Sequence, residues 1–374
     1  MKPRRALLVL LLSSVCGAFC IPGQLMGQVT WQDLVFTGGI SAEWYNGNLT
    51  AVTAPADPAT EASAAVGEFG LRGGVILVDD ERRTFGLQFD SGLRQFTAGG
   101  FVVREYAPRE LVGRLDFMYR QTAGSLGEIW VLGGVAGRGV DDRPPMPLFI
   151  QPGHNTIDGR VRLRLYPIDG VSYDAQLFGE LANYGTTDLT PQLSLLDRMV
   201  LGSEVGATWG SDWTIRGHAG FRYSEYKNQG TFDPDDPLRR DKTFNLGATW
   251  TLQSTVLAQV GVEGFVNRSN SSRPEYNALT LRTVVSVPLP DQFSLNFSAD
   301  LTAKSYLTET EDVLLVPGEE ADNASVVYLE ASRPLFVNLD GAVRFGWTRA
   351  EAEAGNEYYE RFGASVLFRY RPFN

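Results

Sequence analysis

His154 and His218 are the only imidazoles in 374 residues. A histidine beside a carboxylate is the start of a general-base pair, because the ring titrates near neutral pH. Folding the chain tightly at Gly210-Ser211-Asp212 sets Glu204 opposite His218, with Arg216 and Arg222 nearby. No Gly-x-Ser-x-Gly elbow, phosphate loop or nucleotide fingerprint stands in a usable context to give that pair a reaction. The expectation is therefore a structural couple and no catalytic residue. His154, in Pro152-Gly153-His154-Asn155, reads as a solvated loop residue. Metal-ligand spacing is missing, so neither a metal nor a cofactor is expected.

The chemistry that remains is charge placed at alternate positions. Arg160, Arg162 and Arg164 alternate with Val161, Leu163 and Leu165. After Pro167-Ile168-Asp169-Gly170 the alternation resumes, with Val171, Tyr173, Ala175 and Leu177 on one parity and Ser172, Asp174 and Gln176 on the other. Side chains of a strand point to opposite faces with period 2, so this is an antiparallel hairpin with one apolar and one charged face. Shared parity and near-equal distance from the turn predict Arg162 opposite Asp174.

The same pattern recurs to the end of the chain. Alternation predicts sixteen strands, at 32–45, 65–78, 83–96, 108–121, 127–138, 156–166, 171–184, 196–209, 213–226, 242–253, 255–267, 277–288, 292–306, 324–333, 338–349 and 357–372. Seven short connections alternate with eight long ones, the third long one being 139–155. An even barrel with both ends on one side needs that arithmetic. One parity is apolar, as in Leu111, Leu115 and Phe117, or Phe362, Val366 and Phe368. The other carries Arg114, Asp116, Arg120, Arg160, Arg162, Arg164, Asp174, Glu204, Arg216, His218, Arg222, Arg344, Arg361, Arg369 and Arg371. Charges in hydrocarbon cost about 2–4 kcal/mol each near the bilayer midplane. That face is expected to line a wet interior. Trp209 and Trp213 bracket a short turn on the apolar parity, where interfacial rings belong.

The N-terminus reads as an export signal. Lys2, Arg4 and Arg5 precede the apolar Ala6 to Ile21, which is short for a membrane helix. Residues 1–27 are expected to be the signal and 28–374 one barrel domain. Both cysteines, Cys16 and Cys20, fall in the signal, which leaves no disulfide framework. Losing Lys2, Arg4 and Arg5 takes the net charge from −11 to −14, which disfavours nucleic acid as a partner.

An exported chain of alternating hairpins resembles the outer-membrane β-barrel proteins over nearly its whole length. The final strand resembles their assembly signal, with Phe368, Tyr370 and Phe373 as alternating aromatics; Pro372 and Asn374 depart from it. The resemblance implies a closed all-β transmembrane barrel in the outer membrane of a Gram-negative bacterium. Its implied partners are outer-membrane lipid, lipopolysaccharide and the barrel-assembly machinery. The leading functional expectation is a pore or solute channel with an arginine-rich lumen that takes small anionic solutes. The alternatives are an export barrel for polysaccharide or lipoprotein, and a plugged structural or adhesin barrel. The third long connection is shorter than that of trimeric porins and lacks their motif.

Overall fold

A computed structural model describes residues 30–47, 61–98, 109–141, 153–185, 191–231, 235, 237–271, 275–307, 324–352 and 357–372. The expected export signal and Phe373 lie outside them. Sixteen strands run β1 (Thr30–Gly47), β2 (Glu61–Asp79), β3 (Arg83–Ala98), β4 (Arg109–Thr122), β5 (Gly127–Asp141), β6 (His154–Ile168), β7 (Val171–Tyr184) and β8 (Arg198–Gly210). The second half is β9 (Trp213–Gly230), β10 (Leu238–Gln253), β11 (Leu257–Ser269), β12 (Tyr276–Pro288), β13 (Ser294–Tyr306), β14 (Ala324–Phe336), β15 (Leu339–Ala352) and β16 (Glu357–Tyr370). Each observed strand overlaps a predicted one.

Every strand pairs antiparallel with its sequence neighbours, and β1 pairs with β16 from Phe36↔Tyr370 to Gly47↔Tyr359. That last pairing closes the sheet. Closure satisfies the N–H and C=O rows that an edge would expose, which is the condition for a sheet to stand in hydrocarbon.

The two parities separate as the alternation predicts. Ile40, Phe69, Phe117, Leu177, Leu246, Leu279, Phe345 and Phe368 are all exposed although apolar. They come from strands all round the barrel, and a belt of this kind has no place in water. Trp209 and Trp213 share the outer face at 45% and 49% exposure. Trp250 does so too, while Trp347 donates Nε1–H to Glu360 at 2.6 Å.

The short connections hold by local chemistry. At the β2–β3 turn, Asp80 Oδ1 accepts the backbone N–H groups of Arg82 (2.9 Å) and Arg83 (2.7 Å), and Oδ2 meets the Arg83 guanidinium at 2.8 Å. The Arg82 N–H, then the Arg83 side chain, hold this carboxyl below the ordinary carboxylate range. A depressed folded value means the support persists above it and is lost only as pH falls through it. On the loop side, burial pushes the Asp197 carboxyl up, opposed by Lys227; Asp197 accepts the Tyr184 N–H at 2.7 Å.

Two registers differ from expectation. In the β6–β7 hairpin, Arg164 stands opposite Asp174 and Arg162 opposite Gln176. The pairing shifts between Leu165 and Ile168, across Tyr166-Pro167, where proline offers no ladder N–H. In the β8–β9 hairpin, Trp209 pairs with Ile215 and Gly210 with Thr214. Gly210 has φ +109, a conformation open mainly to glycine, and it carries the turn one residue further than a tight turn at Ser211 would. Glu204 consequently opposes Gly220 rather than His218. His154 is also displaced from its expected loop: it opens β6, with its ring 5.4 Å from that of Tyr184.

Candidate functional site

An internal cavity of about 640 Å³ lies within the barrel. Its lining draws on strands from β1 to β13 and includes Arg114, Asp116, Asp158, Arg160, Phe178, Glu180, Arg198, Arg222, Arg239, Asp241 and Lys304. Six of these are bases and four are carboxylates. All lie on the strand face opposite the apolar belt.

Most of the charges are paired, and the pairs skip strands. Arg114 on β4 meets Asp116 on its own strand (2.7 Å) and Asp158 on β6 (2.8 Å), passing over β5. Arg216 on β9 meets Glu204 on β8 (2.7 Å) and Asp174 on β7 (2.9 Å). Arg369 on β16 meets Glu330 on β14 at 2.5 Å, and Arg344 on β15 meets the same carboxylate at 2.8 Å. The concave side of a closed sheet brings alternate strands together, and a long side chain lying flat on the wall can span the one between. Glycine on the middle strand leaves room. A Cβ on Gly134 would stand 2.7 Å from Arg114 Nη2, and one on Gly206 2.9 Å from Arg216 Nη2.

Asp174 is the most enclosed of these carboxylates, with no side-chain surface exposed. Besides Arg216 it has Arg162 Nη2 at 3.4 Å from Oδ1. That second approach is an ion pair in distance, but Oδ1 accepts no hydrogen bond in geometry. Arg162 thus reaches Asp174 diagonally, two residues off the directly facing position.

His218 has a partner that sequence reasoning missed. Its Nε2 lies 3.1 Å from Oε1 of Glu263 on β11, and Asn245 Nδ2 donates to the same oxygen at 2.7 Å. The imidazole crosses β10 above Gly247, where a Cβ would come within 2.5 Å of His218 Cε1 and 2.8 Å of Nε2. Gly247→Ala is therefore expected to destabilise the barrel by about 1–3 kcal/mol through overpacking. Gly113→Ala, with nothing within 4 Å of the new carbon, should leave stability unchanged. Urea midpoints of both variants in lipid vesicles check the contrast; equal midpoints would refute the glycine slot.

The remaining predicted site residues sit as follows. Arg120 donates to Thr84 Oγ1 at 3.1 Å and lies 5.6 Å from the Trp130 ring. Arg164 is 3.8 Å from Glu128, whose Oε1 also accepts the Tyr166 hydroxyl at 2.7 Å. Arg371 meets Asp340. Arg361 stands in register with Tyr45 and Thr348. Arg160 contacts the Phe178 ring at 5.8 Å.

A second charged cluster went unpredicted. At the loop end of β1–β5, Arg94 meets Glu43, Glu110 (3.4 Å) and Glu68 (3.5 Å), and Arg138 meets Glu110 at 2.5 Å. Tyr45 donates to Glu43, beside a small core of Tyr45, Ala64, Val66 and Phe96. Parity alone places Arg138 and Glu110 on the charged face; the pairing across β2 has no sequence signal.

The architecture is a closed sixteen-stranded antiparallel barrel with an apolar outer face and a charged inner one. No protein-family model and no curated protein matches the chain in sequence. Among solved structures it is similar in fold to an anion-selective porin from Comamonas acidovorans, with 11% identity, a TM-score of 0.43, and coverage of 92% of this chain and 99% of that one. A mutant of the monoaromatic hydrocarbon channel TodX gives 10% identity, a TM-score of 0.42 and 90% coverage of each chain. A loop-deletion mutant of OmpT from Vibrio cholerae gives 12% identity, a TM-score of 0.41, and coverage of 91% and 99%.

Proposed function

We propose that this protein is a solute channel in the outer membrane of a Gram-negative bacterium, with a water-filled, arginine-rich lumen. The observation that carries the reading is the cavity inside the closed barrel, walled by six bases and four carboxylates. A dry interior would need apolar packing there, and guanidinium groups stay charged at any accessible pH. Each of them needs a carboxylate, water or a passing anion. The wall's small excess of bases favours anionic solutes, while lipid and lipopolysaccharide contact the belt and the barrel-assembly machinery inserts the chain.

The test is single-channel recording of the purified barrel in a planar bilayer, with cell fractionation in parallel. Discrete conductance steps and co-fractionation with outer-membrane markers are expected. An unboiled sample should also migrate differently from a boiled one on a gel. A folded barrel in the outer-membrane fraction that never conducts would replace the channel by a plugged structural barrel.

A further inference from the structure

Phe178 is an aromatic ring in a wall of mixed polarity. It lies on the charged parity of β7, between Gln176 and Glu180, and lines the cavity rather than the lipid belt. Met118, Leu132 and Val200 line the same cavity from the charged parity, so the wall is mixed, and the half-buried ring keeps part of its flat apolar surface open to it. Its position is fixed by the register. Arg160 faces Phe178 from β6, Gly202 faces it from β8, and Arg222 on β9 faces Gly202 in turn. The ring lies over Gly202, where any Cβ would overlap it. The row therefore reads guanidinium, flat aromatic surface, guanidinium, and all three side chains line the one cavity.

The charge balance around the ring points the same way. The nearest carboxylates toward the loop end are already held: Asp158 by Arg114 at 2.8 Å and Glu180 by Arg198 at 3.3 Å. Arg160 is exposed to the cavity, and among the described residues it makes an ion pair with no carboxylate. Its guanidinium carbon lies over the Phe178 ring, 5.8 Å from the centroid. A ligand that answers all of this carries a negative group for the guanidinium and a flat apolar part for the ring.

We propose that Phe178, with Arg160 and Arg222 on either side, forms a binding subsite for small organic anions that carry a flat apolar part, the class of aromatic carboxylates. An inorganic anion would use the arginines and ignore the ring. A neutral aromatic would use the ring and leave Arg160 without a counter-charge. The proposal deepens the channel reading by naming a solute class for its lumen.

Benzoate is the probe, with acetate and benzyl alcohol as its two halves. Binding to the full-length barrel folded in detergent is measured by saturation-transfer NMR, and block of single-channel current is measured on the same preparation. Benzoate should bind about tenfold more tightly than either half, the effect of one contact of about 1.4 kcal/mol. Phe178→Ala should bring benzoate down to acetate, and Arg160→Gln should bring it down to benzyl alcohol. Phe178→Leu, which keeps the wall filled, should lie between and serves if the alanine variant does not fold. Equal binding of benzoate and acetate, or a Phe178 variant that folds and binds benzoate unchanged, overturns the subsite. Conductance without benzoate binding removes the subsite and keeps the channel. Benzoate binding that obeys the variants in a barrel that never conducts keeps the subsite and removes the channel.

Discussion

Replacing Asp174 by alanine is expected to destabilise the barrel by about 3–5 kcal/mol, the largest effect of any single change inside it. The side chain is fully enclosed and is shared by Arg216 at 2.9 Å and Arg162 at 3.4 Å. Removing it leaves two guanidiniums, each about a quarter exposed, on β6 and β9 without the carboxylate they shared. Glu204 at 2.7 Å retains one hold on Arg216, so the effect should sit at the lower part of that range. Urea unfolding in lipid vesicles, followed by the band shift on unboiled gels, reads the loss. The double variant Asp174→Ala with Arg216→Ala should recover part of it, because the orphaned charge goes with its partner. A loss under about 1 kcal/mol would mean that these arginines are as well hydrated as surface ones.

Replacing Arg160, Arg162 and Arg164 together by glutamine is expected to turn ion selectivity several-fold toward cations while the barrel stays folded. Three positive charges leave the wall, and Asp174 and Glu128 keep theirs with fewer partners. The contribution is unequal. Arg162 and Arg164 are already matched by carboxylates, whereas Arg160 ion-pairs with no carboxylate among the described residues, so Arg160→Gln alone should account for most of the shift. Reversal potential across a bilayer under a potassium chloride gradient measures it. The shift should shrink between 0.1 M and 1 M salt, as the screening length falls from about 10 Å to about 3 Å. An unchanged reversal potential would take these arginines out of the ion path without touching the fold.

Much of this architecture is written along the chain. Period-2 alternation is a property of a strand by itself, so strand number, strand order and the parity of Ile40, Phe117 or Phe368 follow from residue types. Alternating short and long connections follow likewise, because consecutive strands pair. Register is a different matter. A turn shifted by one residue moves the facing partner by two, and Gly210 and the Tyr166-Pro167 irregularity each make such a shift. That is why Glu204 is not the partner of His218 and why Arg162 meets Asp174 only diagonally.

Beyond register, the sequence is silent on contacts between strands that are not neighbours. Arg114 with Asp158, Arg216 with Asp174 and His218 with Glu263 each cross an intervening strand. Those contacts exist because closure curves the sheet and because Gly134, Gly206 and Gly247 leave the middle strand bare beneath the crossing side chain. A glycine read along the chain is a small residue in a strand. Only the closed barrel makes it the floor over which a charge reaches its partner.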